Sequence, residues 1–574
     1  MNNHNITRRA ALASGAAIGA ASCAGAPKMT PYVAVSGAAS GAFTHGVASG
    51  DPDATSVVLW TRLNPEGPGS RALVSWEVSS TETFTEIVAR GDDATGMSRD
   101  WTVKVLVSNL EPGATYFYRF RIGDSISPVG RTKTLPAGAV EKARFAVVSC
   151  SNYPFGHFNV YDLIARQDDL DAVIHLGDYL YEYSREGYGG DAGRALGREH
   201  EPANECVSLD DYRKRHAQYK ADPASRAMHA RHPLIPIWDD HETSNDSWSG
   251  GAENHQPDTE GDWETRRRAA LQAYYEWMPV REPEMAPEAF FRSFSYGDLL
   301  TIAAVETRLM ARAQQFEYSE IIPMLQSPED VAHFTETILW DETREMLGAA
   351  QLDYLDRTLK NSVASGQPWR LIANQVIMAK VTAPDLTPHV TEEQIAELEQ
   401  QWDQARAFVK SSALGLPLNL DAWDGYPAAR ERFYDVVRDA GATGMIVVTG
   451  DTHTWWANDL VDKSGGHMGV ELGTHSVTSP SPYRNEFLGG KGAEYALLTN
   501  RDNKDVRFLS GEYHGFINLT IMRDAARAEF VGVDNIESSA YNAFTHVAFD
   551  IKKTTNGAEL DDIDGASFKE GFLF

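Results

Sequence analysis

A layered α/β sandwich, preceded by a small β-sandwich domain, is the fold that the sequence predicts. Between residues 44 and 135, short segments of alternating apolar and polar residues are separated by clusters of glycine and proline, as in immunoglobulin-like and fibronectin-like sandwiches. From about residue 141, uniformly apolar segments alternate with segments of helical periodicity, which is typical of sheets covered by helices. We therefore place the β-sandwich at residues 40–136 and the α/β domain at residues 140–574.

The predicted β-sandwich contains four segments in which apolar residues recur at every second position, as they do in half-buried strands. These segments are 56–61, 72–78, 101–107 and 115–122. No cluster of reactive side chains occurs in this block. We expect it to act as a scaffold that packs against the α/β domain.

Within the α/β domain, helical periodicity is found at 208–231, 392–413 and 426–439. Segments 185–205 and 246–262 are rich in Gly, Asp, Glu and Asn, and we predict that they are loops that select the ligand. Segments 515–522 and 528–533 predict a β-hairpin.

The formal net charge is −29 and the isoelectric point is about 5.0. Nucleic acids are normally bound by clustered Lys and Arg, so this balance argues against a nucleic-acid partner. An anionic substrate would need local positive charge, which bound cations could supply. A solvated acidic surface explains the same charge without any ligand.

Residues 1–26 resemble a twin-arginine signal peptide, because Arg8 and Arg9 follow Thr7 and precede a run rich in Ala and Gly. This predicts export by the twin-arginine machinery to the periplasm or the medium. An ordinary export signal is the alternative, and the small residues before Cys23 leave a lipid anchor open. No later run of about 18 apolar residues occurs, so we predict no transmembrane segment in the mature chain.

Two cysteines remain after the predicted signal, Cys150 and Cys206. In an exported protein they could form a disulfide. However, Cys150 ends a predicted buried strand, whereas Cys206 lies in a polar segment that leads into a helix. We therefore favour Cys150 as a metal-binding thiolate and Cys206 as a free thiol without a role.

Four predicted strands each end in residues that commonly bind metals. These segments are 144–150, 170–181, 234–242 and 445–453. Ligands bind at the carboxyl ends of the strands in an open α/β sheet. The sequence therefore predicts that these residues converge, although the first and the last lie about 300 positions apart.

Two of the strand ends carry short motifs that suit a pair of metals. After Gly177, the carboxylate of Asp178 could bridge two cations, and Tyr181 could add a phenolate. Asp451 and His453 leave their strand two residues apart, so that each could face a different metal. Ordinary polar turns are the alternative explanation for both motifs.

The third motif is the acidic segment that follows the predicted strand 234–238. Closely packed buried carboxyl groups need cations or water to remain ionised. We predict that Asp240 and Asn245 bind a second metal and that His241 donates a proton to the leaving group. The alternative is a solvated acidic loop.

Together these motifs resemble the alkaline phosphatase D, or PhoD-like, branch of the metallophosphoesterases. The likeness extends to segment 43–52 and to the Asn-Gln-Val sequence at 374–376. The common metallophosphoesterase pattern has Asp-x-His first and Gly-His-x-His last, whereas Cys150 and Asp451 occupy those places here, as in this branch. The resemblance implies a metallophosphoesterase-like layered sandwich.

The resemblance also implies the metals. It implies a ferric ion held by Cys150, Asp178, Tyr181 and His453. It further implies calcium held by Asp178, Asn245 and Asp451, with Asp240 and Asn374 as additional candidates. Zinc or another divalent metal is the alternative.

Two cations bridged by Asp178 can bind phosphate oxygens and lower the pKa of a water molecule to form hydroxide. Arg308 and Lys380 are candidates for a cationic contact to the phosphate, although such residues more often form surface ion pairs. We predict an exported metal-dependent hydrolase of small phosphomonoesters at alkaline pH, with Asp178 and His241 as catalytic residues and phosphodiesters as further substrates. A phospholipase D-type phosphodiesterase and a non-catalytic exported metal-binding protein are the alternatives.

Overall fold

The computed structural model describes residues 30–33, 42–64, 71–399, 405–484 and 491–561. The predicted signal peptide, including Cys23, lies outside these residues. Two mixed sheets pack face to face in the α/β part, and helices cover their outer faces. The predicted layered α/β fold and the predicted N-terminal β-sandwich are both confirmed.

The first sheet contains eleven strands among the described residues. In spatial order they are Thr30–Val33, Ala540–Thr554, Ala525–Val533, Gly515–Met522, Lys142–Val148, Ala172–His175, Pro233–Pro236, Val47–Gly50, Ser56–Arg62 and Thr102–Ser108, with Gly557–Leu560 beside Ala540–Thr554. Strands Lys142–Val148, Ala172–His175 and Pro233–Pro236 are parallel neighbours. Their carboxyl ends therefore lie at one edge of the sheet. The predicted hairpin is present as Gly515–Met522 and Ala525–Val533.

The second sheet contains seven strands among the described residues. In spatial order they are Arg292–Tyr296, Leu300–Ala304, Trp369–Ala373, Met445–Thr449, His467–Gly473, Trp455–Val461 and Val506–Ser510. Strand Met445–Thr449 is parallel to both of its neighbours. It therefore has the buried, central position that its uniformly apolar sequence predicts.

Alternate residues of the central strands enter different layers of the core. Val147 and Ile174 of the first sheet and Ile446 of the second lie in the cluster between the two sheets. Val148 and Val173 lie in the cluster formed with the helices on the outer face. Because both faces are buried, the strands need apolar residues at every position, and this explains the continuous apolar runs.

Helices cover both outer faces. The helices on the first sheet are Asn159–Ala165, Leu209–Ala221, Pro223–Arg231 and Trp263–Trp277. Those on the second sheet are Ala349–Ala364, Glu392–Glu399, Ala405–Ser412, Pro427–Asp439 and Gly492–Asp502. Four shorter helices are Gly190–Leu196, Pro257–Glu260, Tyr318–Ile321 and Pro328–His333. Within the described part of the chain, no helix is both long and apolar enough to span a bilayer.

Three local predictions need correction. The helix predicted at 208–231 is two helices, because the Asp222 side chain caps a new helix that starts at Pro223, and proline lacks the N–H that a continuous helix requires. The loop predicted at 185–205 contains the helix Gly190–Leu196. The loop predicted at 246–262 contains the helix Pro257–Glu260 and a two-stranded ribbon.

The N-terminal sandwich shares a sheet with the α/β domain. Strand Val47–Gly50 pairs in parallel with Pro233–Pro236, so one layer of the sandwich extends the first sheet. The other layer comprises Ile87–Gly96, Arg71–Ser79, Thr115–Ile122, Ser125–Ile126 and Gly130–Lys133. Leu59, Val78 and Phe120 are buried between the two layers. Local sequence patterns do not encode this pairing, because it joins segments that are remote along the chain.

Candidate metal centre

The four strand ends that carry the candidate ligands come together where the two sheets meet. A parallel bridge joins Ser149, after a strand of the first sheet, to Ser476, after a strand of the second. A Cβ atom on Gly450 would lie 2.7 Å from the Cβ of Ser149, so the sheets approach too closely here for a side chain. The predicted convergence is therefore present, but across two facing sheets rather than along one open sheet.

The candidate ligands have an unusual backbone conformation. Cys150, Asp178, Asp451 and His453 have φ angles of 60°, 53°, 61° and 53°, in the left-handed region that residues with a Cβ rarely adopt. Such conformations cost of order 1–3 kcal/mol each and are concentrated at functional sites. The surrounding structure therefore maintains a strained arrangement at all four positions.

The first ligand group is sulfur- and nitrogen-containing. One ligand atom from each of Cys150, Asp178 and His453 lies within 4.8 Å of the other two. The Tyr181 hydroxyl donates to Oδ2 of Asp178 at 2.9 Å and lies 3.1 Å from Nε2 of His453. The Ser479 hydroxyl donates to the Tyr181 oxygen at 2.7 Å. The four residues expected to bind iron thus form one cluster.

Two further groups are rich in carboxylates. Ligand atoms of Asp239, Asp240 and Asp451 lie within 4.8 Å of one another, and the same holds for Asp178, Asp240 and His241. Asp178 therefore belongs both to the group with Cys150 and to a group with Asp240. This is the position that a carboxylate bridging two cations needs.

Arg308 lies inside the acidic cluster and is fully buried. Its Nε donates to Oδ1 of Asp239 at 2.5 Å, and its Nη1 lies 2.8 Å from Oδ2 of Asp421. Its Nη2 lies 3.7 Å from Asp240 and 3.9 Å from Asp451. Burial raises the pKa of Asp240, but the charges of Arg308 and His241 and main-chain hydrogen bonds together outweigh burial and keep this pKa below its ordinary value. Nε and Nη1 thus bind carboxylates, whereas Nη2 is buried without a hydrogen-bond partner among the described residues, and a contact with phosphate stays a prediction.

Three other predicted residues are less closely tied to the cluster. Asn245 donates through its main chain to Glu182 and through its amide nitrogen to Glu253, so the amide oxygen is its candidate ligand atom. Both polar atoms of the Asn374 side-chain amide form hydrogen bonds: the oxygen accepts from the Trp423 indole, and the nitrogen donates to a main-chain carbonyl. Lys380 is exposed, and no contact among the described residues joins it to the cluster. Their roles stay predictions.

The cluster fits metal cations. Asp178 Oδ1, Asp239 Oδ2 and Asp240 Oδ1 are buried without a hydrogen-bond partner. Burial, reinforced by neighbouring acids, raises the pKa values of Cys150, Asp178 and Tyr181, and burial raises that of Asp239 to about 8. A bound cation would satisfy the orphaned oxygens and favour the anionic forms. Thiolate, phenolate and imidazole suit a transition metal, whereas carboxylates also suit calcium.

Comparison with known proteins agrees with this geometry. The sequence model of the PhoD-like phosphatase family matches residues 145–530, and the model of the N-terminal domain of these phosphatases matches residues 29–136. The chain belongs to the PhoD-like phosphatase family. It is 34% identical over 534 residues to alkaline phosphatase D of Bacillus subtilis (strain 168), covering 90% of this chain and 82% of that protein. A solved structure of PhoD superposes with a TM-score of 0.71 at 30% identity, covering 92% of this chain and 94% of the other.

In this PhoD-like phosphatase, sequence reasoning missed Glu182, which orients His241. Oε2 of Glu182 lies 2.7 Å from Nδ1 of His241, and Oε1 accepts from the Asn245 main chain and the Asn254 amide at 2.9 and 2.8 Å. Burial alone would lower the pKa of His241, but Asp240 and the other nearby carboxylates raise it well above its ordinary value. An acid directly after Tyr181 in an apolar context was the available signal.

Sequence reasoning also missed Glu242, which ties two ligand-bearing loops of this phosphatase together. Its carboxylate accepts the main-chain N–H groups of Asp178, Tyr179 and Asp239 at 3.1, 2.7 and 2.8 Å. The loops are in close contact, since a Cβ on Gly177 would lie 2.3 Å from the Asp239 nitrogen. An acid that ends a predicted ligand motif could have drawn attention to Glu242, but its three partners follow only from the fold.

The two cysteines do not form the disulfide that the sequence left open, whereas metal binding by Cys150 stays a prediction. Cys150 and Cys206 are both buried and unpaired. Burial raises the pKa of the Cys206 thiol to about 12, so that thiol is protonated at neutral pH.

Proposed function

We propose that this phosphatase is an exported, metal-dependent enzyme that hydrolyses phosphomonoesters at alkaline pH, with phosphodiesters as a second substrate class. The observation that carries the proposal is the sharing of Asp178 between two groups of candidate ligands. A bridging carboxylate between two cations is a recurring arrangement in enzymes that hydrolyse phosphate esters. Membership of the PhoD-like family supports the same reaction class.

We infer that iron and calcium are the metals. Cys150, Asp178, Tyr181 and His453 would hold Fe³⁺, because a thiolate and a phenolate favour a trivalent ion. Oxygen ligands suit Ca²⁺, and the residues that would hold it are Asp178, Asp240, Asn245, Asp451 and, as a further candidate, Asn374. When bound, the cations neutralise the phosphate oxygens and lower the pKa of a water molecule.

The protein groups around the cluster would direct the displacement at phosphorus. Nδ1 of His241 is held by Glu182, so Nε2 is the nitrogen that can serve the substrate. The water first loses a proton to solvent; as the oxygen of the resulting hydroxide bonds to phosphorus and the bond to the leaving oxygen breaks, His241 would donate its proton to the leaving oxygen. Arg308 holds Asp239 in place, and Ser479 orients Tyr181.

Activity and metal content test this proposal together. Protein purified without chelator should contain iron and calcium by elemental analysis and should hydrolyse p-nitrophenyl phosphate. Asp178→Asn should remove both activity and one metal while the far-ultraviolet circular dichroism spectrum is unchanged. Fully metallated protein that hydrolyses neither p-nitrophenyl phosphate nor its bis-ester would contradict a catalytic role. Zinc alone would instead change the assignment of the ligands.

Export rests on the paired arginines of the amino terminus. Replacing Arg8 and Arg9 with lysine should retain the protein in the cytoplasm, because the twin-arginine machinery reads the arginine pair. Cell fractionation measures this. Unchanged export of the double variant would favour an ordinary export signal, and mass spectrometry of the mature protein would show whether Cys23 is acylated.

A further inference from the structure

We propose that Tyr183, Tyr188 and Phe155 form an aromatic subsite that binds a planar leaving group, so that aryl and nucleoside phosphates are preferred over alkyl phosphates. The inference rests on the proposed function, because it assigns the leaving group to the side of the site where His241 lies. These three residues are called the aromatic subsite below.

The aromatic subsite lies directly beside the proposed proton donor. The ring centroid of Tyr183 is 5.4 Å from that of His241, and the Tyr188 centroid is 5.6 Å from that of Tyr183. Phe155 lies behind Tyr188, with a centroid separation of 4.9 Å. Tyr183 and Tyr188 are partly exposed, so that a ligand can reach their rings, whereas Phe155 is buried.

The position of His241 limits where the leaving group can lie. Proton transfer requires the leaving oxygen within hydrogen-bond reach of Nε2, about 2.6–3.2 Å. One ligand atom of His241 lies within 4.8 Å of ligand atoms of Asp178 and Asp240, so the phosphoryl group is placed on the side of the metal ligands. The organic group attached to the leaving oxygen must extend away from the metal ligands, and Tyr183 is the aromatic residue next to His241 that is partly exposed.

The imidazole of His241 lies next to the rings of Tyr181 and Tyr183. Tyr181 lies against His241 with a centroid separation of 4.1 Å and an interplanar angle of 34°. The Tyr181 ring also lies 6.4 Å from that of Tyr188. The candidate metal ligand Tyr181, the proposed proton donor and the aromatic subsite are therefore contiguous.

The subsite is formed in advance of binding. Gly189 has a φ of 89°, and a Cβ there would lie 3.0 Å from the Phe155 ring, so glycine allows the loop to approach Phe155 closely. The loop is closed by main-chain bonds from Gly187 to Ser184 and from Gly190 to Gly187, both at 2.9 Å. A pre-formed surface costs little ordering entropy when a ligand binds.

Aromatic surfaces of this kind favour planar ligands. Ring pairs at centroid separations of 4.5–7 Å contribute about 0.5–1.5 kcal/mol beyond the area they bury, and stacking accepts any planar π-system. A phenyl group or a nucleobase can stack on Tyr183 or Tyr188, whereas an ethyl group offers no flat face. The chemistry therefore predicts the class of leaving group without identifying one natural substrate.

The test compares matched substrates in matched variants. The quantity measured is the ratio of kcat/KM for phenyl phosphate to kcat/KM for ethyl phosphate, because the intrinsic reactivity of each ester cancels when variants are compared. We expect Tyr183→Leu and Tyr188→Leu each to lower this ratio about five- to tenfold. Tyr183→Phe keeps the ring and should keep the ratio within about twofold.

Two controls exclude a general structural effect. Tyr354 is a partly exposed tyrosine that lies 5.1 Å from the Phe291 ring at the edge of the second sheet, and Tyr354→Leu should leave the ratio unchanged. Inhibition by phenylphosphonate and methylphosphonate measures binding without turnover, and the preference for the phenyl compound should fall in the same two leucine variants.

The outcomes separate this inference from the proposed function. An enzyme that hydrolyses both esters and whose ratio is unchanged in both leucine variants overturns the aromatic subsite and leaves the phosphatase function intact. A metallated wild-type protein that hydrolyses neither ester overturns the proposed function, and the subsite with it. A lower ratio in the leucine variants that Tyr183→Phe does not share supports stacking.

Discussion

Replacement of Glu242 by glutamine measures how firmly the two ligand-bearing loops are held together. Oε2 of Glu242 accepts the N–H groups of Asp178 and Asp239, and Oε1 accepts that of Tyr179. A glutamine with its oxygen at the Oε2 position keeps the first two bonds and leaves the Tyr179 donor unsatisfied. A buried unsatisfied donor costs about 1–3 kcal/mol, so we expect Glu242→Gln to lower the free energy of unfolding by about 1–3 kcal/mol.

Glu242→Ala leaves three donors unsatisfied, which would cost about 3–9 kcal/mol and approach the whole stability of a typical domain. Glutamine is therefore the informative substitution. Urea-induced unfolding gives the stability, and titration with metal gives the affinity, which we expect to fall about 10- to 100-fold because the loops carry the ligands.

The matched control is Glu284→Gln, since Glu284 is an exposed acid. It should change the free energy of unfolding by less than about 0.5 kcal/mol. The reasoning about Glu242 is refuted if Glu242→Gln is as stable as this control and binds metal with wild-type affinity.

Three further predictions concern the proton donor, a buried histidine and metal removal. Glu182→Gln should lower kcat for ethyl phosphate about 10- to 100-fold, because His241 loses the carboxylate that orients it and stabilises its charge. The metal content should change little. An unchanged kcat would contradict this role of Glu182. Burial, with a smaller effect of Lys220, lowers the pKa of His175 from 6.5 to about 3, so the unfolded chain binds this proton below pH 6.5 while the folded chain does not. The contribution of neutral His175 to the free energy of unfolding is therefore complete above pH 6.5 and is lost as the pH decreases, by about 2 kcal/mol from pH 7 to pH 5. In His175→Gln, the free energy of unfolding measured in urea should decrease less over the same pH range. In chelator-treated protein, Asp178→Asn should raise the free energy of unfolding measured in urea, because burial raises the pKa of Asp178 and the folded chain must therefore keep a proton on this carboxyl that the unfolded chain releases; with metals bound the sign should reverse.

The sequence predicted those features that local patterns encode. The apolar runs before Cys150, Asp178, Asp240 and Asp451 predicted buried strands, and the structure contains a strand before each of them. Alternating residues likewise predicted the N-terminal sandwich. The sequence distinguishes these two kinds of strand, because a strand buried on both faces needs apolar residues at every position and a strand buried on one face needs them at every second position.

Other features depend on contacts between remote segments, and local patterns cannot supply them. Arg308 was a candidate for a phosphate contact with ion pairing as the alternative, and the carboxylates around it come from three other segments that its own motif does not reveal. The amide of Asn374 is engaged by Trp423, which a motif alone does not reveal. The roles of Glu182 and Glu242 follow from partners about 60 positions away.

The N-terminal sandwich supports the candidate metal centre through the strand that it adds. Val47–Gly50 lies beside Pro233–Pro236, whose carboxyl end leads to Asp239 and Asp240. A Cβ on Gly50 would lie 2.4 Å from the Pro279 carbonyl oxygen and 2.8 Å from that of Leu234, so this strand is closely packed against Pro233–Pro236 and against the segment after the helix Trp263–Trp277. Without it, Pro233–Pro236 would become an exposed edge strand with unpaired main-chain groups. The sandwich therefore fixes the strand that leads to two candidate ligands, although it provides no candidate ligand itself.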